Sequence, residues 1–493
     1  MSEINKTVKH AAIYTVGVVL NRLISFIMLP IYTRYLSPAD YGTIELLTMT
    51  MDVIGIIAGA GLFGAMFRYY YMYNTQRERN VVVSTITILL LLFFFISSGL
   101  GIFFSDTLSS LILENNTRNI LYFRIMFLCF FFQMFIEIPM MYIRAQQKPM
   151  LFVLVSIIRL LGQLSLNIFF IIFLDMNVMG VLLSSLIVSS VIGILLLYYT
   201  FHDTGLHFSR ALARNMLAYS APLIFSYMGE FILTYSDRYF LKAFGSLGEV
   251  GVYSLGYKLG FVLWVFSVKP IFNIWEPQRF EIAQKEDARG TNYRVFLLSN
   301  ILIITLALII SLFSYDLFRI MSAPDFWAAY KVVPIIILAY IVQAWTSFGN
   351  FGLYYRGDTK QIALGTMGGA IAVIILSFLL IPTFKSYGAA LATLLAFIIR
   401  FLLIYPRAQK YYKLSLPWKK CLMLLMAASL LYIVSQQISI DSILLSIAFQ
   451  SIVVLIFILL LFLLPIFGKR EKKAVYEIII NPKTALKVFK GQS

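Results

Sequence analysis

Histidine and cysteine are almost missing from this chain, three and two among 493 residues. His10, His202 and His207 lie at a terminus and in one connection, which leaves no His cluster for a metal site. Cys129 and Cys421 stand in separate apolar segments with no Cys-x-x-Cys spacing, so neither a disulfide framework nor a thiolate metal centre is indicated. No Gly-x-x-x-x-Gly-Lys-Ser/Thr loop is present to cradle a nucleotide phosphate. No cofactor and no metal are therefore expected, and energy for any work has to come from a gradient or the membrane potential. Charge is scarce as well: Asp, Glu, Lys and Arg make up 13% of the residues.

What fills the chain is apolar surface, 60% of all residues. Runs such as residues 86–96 and 452–464 have no polar face, so a water-soluble fold would have nothing to turn toward solvent. Windows of about 20 residues, the length that spans a hydrocarbon core of roughly 30 Å, recur from residues 11–30 to residues 443–467. They predict an all-α polytopic membrane protein of about fourteen spans joined by short connections, with no room for a soluble catalytic domain. An even number of spans puts both termini on one side. That side carries 28 of the 40 Lys and Arg residues, counting the connections after even-numbered spans and the tail. By the positive-inside rule both termini are cytoplasmic, and the net charge of +17 serves topology and anionic lipid rather than nucleic acid.

The chain also repeats itself. Ser37-Pro-Ala-Asp40-Tyr-Gly42 matches Ser246-Leu-Gly-Glu249-Val-Gly251 at an offset of 209, Arg144-Ala-Gln-Gln-Lys148 answers Arg356-Gly-Asp-Thr-Lys360 at 212, and Gly180 to Leu186 answers Gly388 to Leu394 at 208. Three matches in order at nearly one offset predict two six-span lobes, 1–205 and 206–412, then two extra spans in 413–468 and a basic cytoplasmic tail, 469–493. Six spans separate the copies, so both insert with the same orientation, as parallel repeats.

Ionisable groups inside a bilayer cost roughly 2.5–3.5 kcal/mol each on insertion scales and face a cavity or a partner. Arg22 lies near the middle of the first span, Glu45 and Asp52 share a stripe with Thr48 in the second, Arg159 stands with Ser156, Gln163 and Asn167 in the fifth, Glu230 and Asp237 lie in the seventh, and Lys258 in the eighth. One reading is a hydrated cavity whose cations Arg22, Arg159 and Lys258 hold an anionic head group by charge-assisted hydrogen bonds. The other is mutual neutralisation, Arg22 with Asp52 or Glu45 and Lys258 with Glu230 or Asp237. Arg124, Arg238 and Arg400 sit nearer span ends, where snorkelling to the interface is expected.

The segment Asn21-Arg22 through Leu29-Pro30-Ile-Tyr-Thr-Arg34-Tyr-Leu36-Ser-Pro38-Ala-Asp40-Tyr41-Gly42 resembles the opening signature of bacterial polysaccharide flippases. These form the branch of the multidrug/oligosaccharidyl-lipid/polysaccharide exporter superfamily that includes the O-antigen flippases. The likeness extends to span count, duplicated lobes and the Arg-x-x-x-Lys connections. It implies translocation of an undecaprenyl-diphosphate-linked oligosaccharide to the outer leaflet of the bacterial inner membrane by alternating access. It further implies membrane lipids, a glycan polymerase and glycosyltransferases as partners, and no enzymatic activity. In related lipid-precursor flippases, cavity arginines on the first and second spans and a basic residue on the eighth are associated with substrate. Arg22 and Lys258 occupy matching spans, but Glu45 and Asp52 stand where a central arginine would be, which disfavours a peptidoglycan precursor and raises Asp52 as a coupling site. Two alternatives stay open: a cation-coupled drug or metabolite antiporter of the same superfamily, which would favour acids such as Glu45, Asp52, Glu230 and Asp237, and a membrane-bound glycan polymerase or ligase. The second needs a sizeable outward loop, and the longest here, around Ser105 to Arg118, offers only Asp106 and Glu114.

Overall fold

The computed structural model describes residues 28–463 apart from 60, 115 and 439, and among these every regular element is helical. Among the described residues twelve helices are long and apolar enough to cross a membrane. One of them, Thr359–Tyr411, has 53 residues and would stretch about 80 Å if straight; it is two helices joined at Lys385, whose φ of 49° and ψ of −125° break the helical path. The break falls between the spans expected at residues 361–382 and 386–405. Counted as two, it raises the described crossings to thirteen, and the span expected at residues 11–30 lies almost wholly outside the described residues, together with Arg22. The tail 469–493 lies outside them too.

The elements used below are α1 (Pro38–Gly59), α2 (Leu62–Met72), α3 (Gln76–Phe103), α4 (Thr117–Ala145), α5 (Pro149–Ile168), α6 (Asn177–Thr204), α7 (Arg210–Tyr235), α8 (Asp237–Phe244), α9 (Leu247–Leu263), α10 (Ala288–Met321), α11 (Val333–Gly349), α12 (Thr359–Tyr411), α13 (Trp418–Ser435) and α14 (Ile443–Leu463). Their starts follow local chemistry. Thr75 and Glu78 form a reciprocal capping box at α3, Asn116 accepts the Asn119 amide at α4, and Pro149 opens α5 where a missing N–H costs nothing. Gly61, at φ +67°, turns the chain between α1 and α2, a backbone conformation in which an L side chain would be strained.

The chain folds as two compact units: residues up to Phe231 with Gly245–Gly251, and Ile232–Phe244 with the chain from Val252 onward. In the first, α4 and α6 pack closely because Gly193 has no side chain; a Cβ there would lie 2.7 Å from that of Phe135. In the second, α11 packs on α12, and Trp418 at the start of α13 is ringed by Phe296, Trp345, Phe401 and Tyr405, to the last of which its indole N–H donates at 2.8 Å.

The sequence repeat has a structural counterpart in each copy. Gly180 lets α6 return tightly on Phe170 in the first unit, and its match Gly388 brings α12 back against the Leu380 carbonyl in the second. The matching Ser37 and Ser246 hydroxyls accept the amides of Asp40 at 3.1 Å and Glu249 at 3.2 Å, capping α1 and α9 alike. Within the first unit these two starts touch backbone to backbone. A Cβ on Gly42 would lie 2.0 Å from the Leu247 carbonyl oxygen, and one on Gly251 would lie 2.0 Å from the Pro38 carbonyl oxygen. Pro38 and Leu247, like the two glycines, are 209 residues apart, so the contact has local two-fold symmetry.

Candidate functional site

Of the three cations singled out from the sequence, two lie among the described residues. Arg159 projects from α5 in the first unit, half-buried. Its guanidinium is 3.4 Å from the Glu137 carboxylate of α4, which also accepts from Gln133 at 2.8 Å. The polar ladder continues along α5: the Gln163 amide reaches Asn167 and Ser185 at 3.2 and 3.4 Å, and Asn167 donates to the Tyr32 hydroxyl at 2.9 Å. Antiparallel helices joined by a short turn bring together residues at similar distances from that turn, and Glu137 and Arg159 lie ten residues before and twelve after Gln147. Glu137, an acid inside a predicted span, was as legible as Asp52 and belongs with the candidate residues.

Lys258 is half-buried on α9 in the second unit, and Glu230 half-buried on α7 in the first. On α1, Glu45 is buried while Thr48 and Asp52 are exposed, so the polar stripe leaves the packed interior toward its C-terminal end.

Asp237 stands in a different setting from the other acids. α7 ends at Tyr235 and α8 begins at Asp237, and the interruption folds Asp237 and Arg238 inward, 1% and 2% exposed. Arg238 Nη1 lies 2.8 Å from Asp237 Oδ1 and donates at 2.9 Å to the Thr234 carbonyl left near the helix end. Tyr253 and Thr393 donate their hydroxyls to Asp237 Oδ2. The guanidinium lies 3.9 Å from the ring centre of Tyr257, a desolvated cation–π contact worth about 2 kcal/mol. Snorkelling was expected of Arg238 and Arg400 and holds for neither, since Arg400 is also buried and donates to Gln343 at 2.9 Å; the span-end position that suggested it is not the end of a free helix. Arg124 is half-exposed, 3.6 Å from Asp106. Among the described residues no three His, Cys, Asp or Glu side chains converge as metal ligands.

Arg159 and Glu137 can serve as an ion pair or as two separate polar contacts for a ligand. If the pair holds α4 to α5, then Glu137→Gln and Arg159→Gln each lower the unfolding midpoint in detergent, and the double variant loses less than the sum, with a coupling of about 1 kcal/mol. Strict additivity would show that the two side chains do not depend on each other.

This is an all-helical polytopic membrane protein carrying charged side chains within its spans. The sequence profile of the family described as "Polysaccharide biosynthesis protein" matches residues 7–273, more than half of the chain, and the chain belongs to that family. It is 21% identical over 381 residues, 74% of its length and 90% of the relative's, to an uncharacterized membrane protein of Haemophilus influenzae. It is 22% identical over 379 residues, 73% and 87%, to Lsg locus putative protein 1 of the same organism. Its fold is similar to that of the lipid II flippase MurJ in an inward closed conformation, with a TM-score of 0.72 at 14% identity, covering 90% of this chain and 97% of that one. It is similar as well to an inward-facing multidrug resistance MATE family transporter of the MOP superfamily, with a TM-score of 0.62 at 15% identity, covering 82% and 99%. Family and fold together define a polysaccharide-biosynthesis protein built as the flippases and transporters of that superfamily are built.

Proposed function

We propose that this protein flips an undecaprenyl-diphosphate-linked oligosaccharide from the cytoplasmic to the outer leaflet of the bacterial inner membrane, for surface polysaccharide synthesis. The repeats 1–205 and 206–412 alternate access, and both termini are cytoplasmic. The observation that carries the reading is the pairing of a polysaccharide-biosynthesis sequence family with a fold like that of a lipid II flippase. The physical need is plain: a diphosphate-sugar head group loses its hydration in hydrocarbon, while its polyprenyl tail does not. A path lined by cations replaces that water, and Arg22, Arg159 and Lys258 are assigned to it. Glycosyltransferases supply such a substrate and a polymerase consumes it. The chemistry done on the glycan belongs to those partners, and this chain moves it.

Export of a cationic drug is the rival reading, favoured by the exposed Asp52 and by the likeness to a multidrug transporter. Charge reversal separates the two. Arg22→Glu, Arg159→Glu and Lys258→Glu, at unchanged membrane levels, are each expected to lower surface glycan at least tenfold, whereas Asp52→Asn would abolish drug resistance if the rival held. Normal glycan in all three reversed proteins would refute the cation assignment. A reporter fused after Ser493 that is active on the outer side would overturn the topology.

A further inference from the structure

In the second unit, α14 is apolar throughout except at Ser446, Gln450 and Ser451. Its buried residues form one stripe, Ser446, Gln450, Val453, Phe457 and Leu461, spaced three and four apart as a single helix face requires. Leu444, Leu445 and Ile452 are exposed instead. In lipid an exposed leucine needs no explanation, whereas two polar residues on the packed face call for polar company opposite.

That company is Asp316 of α10, an acid 2% exposed. The Ser446 hydroxyl donates to Asp316 Oδ2 at 2.6 Å. Among the described residues nothing donates to Asp316 Oδ1 or to Oε1 of Gln450, a residue 7% exposed, and no Lys, Arg or His pairs with the carboxylate. Arg319, one turn along α10, donates to the Asp441 carbonyl at 2.8 Å and lies over the Tyr315 and Trp327 rings. These hydrogen bonds fix the register. Asp316 meets Ser446 and Arg319 meets Asp441, so numbers rise along α10 as they fall along α14, and the helices are antiparallel. Gln450, one turn beyond Ser446, therefore lies beside the turn of α10 that precedes Asp316. Helical side chains lean toward their own N-terminus, so Asp316 and Gln450 lean toward each other across the contact.

We propose that Asp316, Ser446 and Gln450 form a binding site for a sodium ion that ties α14 to α10. This goes beyond the flippase reading and does not depend on what the protein carries. A hydrogen bond between the helices accounts for Ser446 and Oδ2 of Asp316, but it leaves two buried acceptors and one buried negative charge. Two acceptors cannot satisfy each other; a cation between them satisfies both and neutralises the acid. Ser446 gives its hydrogen to Asp316 and keeps its oxygen lone pairs, so carboxylate, hydroxyl and amide oxygens converge from two helices. Such ligands suit a hard cation. One carboxylate balances one positive charge, whereas a divalent ion would leave an excess charge among apolar side chains.

The test is the thermal unfolding midpoint of the full-length protein in detergent, titrated with sodium chloride while choline chloride holds the ionic strength constant. Sodium is expected to raise the wild-type midpoint by at least about 2 °C at saturation. Asp316→Asn keeps the shape and removes the charge, and its midpoints in the two salts should coincide. Gln450→Met conserves volume and removes one ligand, and should need about tenfold more sodium for half the shift. A wild-type midpoint indifferent to sodium would overturn the site and leave Asp316 an acid neutralised by a proton. A full sodium shift in Asp316→Asn would place the ion elsewhere and overturn it too. Calcium chloride that stabilises more than sodium at equal concentration would overturn the assignment to a single charge. Should Asp316→Asn not fold, Gln450→Met decides, an unchanged half-point counting against the proposal. None of these outcomes touches surface glycan, so the flippase reading stands or falls separately.

Discussion

Gly42→Ala alone, one added methyl group, is expected to cut the yield of folded protein and surface glycan at least tenfold, and Gly251→Ala to do the same. Each Cβ would lie 2.0 Å from a carbonyl oxygen of the facing helix start, and backbone cannot rotate out of the way as a side chain can. Overpacking a core costs typically 1–3 kcal/mol, and a backbone-on-backbone clash belongs at the upper end, about 3 kcal/mol. Relief requires the starts of α1 and α9 to separate. One separation accommodates both methyl groups, so the double alanine variant should cost clearly less than the sum of the two singles. Gly64→Ala, with nothing in reach of its Cβ, is the control and should match the wild type. Wild-type yield and glycan in both crossing variants would mean that the contact is dispensable; measuring unfolding midpoints beside export separates lost folding from lost movement.

That crossing shows how far the sequence could be read. The match of Ser37 through Gly42 to Ser246 through Gly251 announced two equivalent helix starts, and the serine caps follow directly from the Ser-x-x-acid spacing. Their mutual contact was not legible, because nothing local says which two helix ends meet. The thirteen described crossings and the break between residues 382 and 386 were legible, since hydropathy and length alone limit a crossing to about 20 residues. Charged side chains were harder. Periodicity placed Arg159 on a polar stripe, but the partner it uses, Glu137, becomes apparent only once α4 and α5 are treated as an antiparallel pair. Arg238 was misjudged for a related reason: proximity to a span end says snorkel, whereas the chain breaks at Ser236 and folds the residue under α9 and α12.

Removing the Asp237 carboxylate should have the second large effect, on stability first. Asp237→Ala leaves the Arg238 guanidinium buried without its counter-charge, which costs about 3–5 kcal/mol, and strands the Tyr253 and Thr393 hydroxyls that now donate to it. Arg238→Ala is expected to be comparably harmful, since it leaves a carboxylate buried with two neutral donors. Asp237→Asn keeps an acceptor oxygen but loses the charge and should fall between. If the pair is internal scaffolding, replacing the whole cluster with apolar groups of similar volume, Asp237→Leu, Arg238→Met, Tyr253→Phe and Thr393→Val, should recover most of the stability, because the desolvation cost disappears together with the attraction. Glycan export should then recover along with the unfolding midpoint. A quadruple variant that is stable but silent in export would assign Asp237 a part in coupling. Scaffolding is the expected outcome, because Asp237 already accepts from Arg238, Tyr253 and Thr393 inside a single unit, which leaves its carboxylate little capacity for a travelling cation.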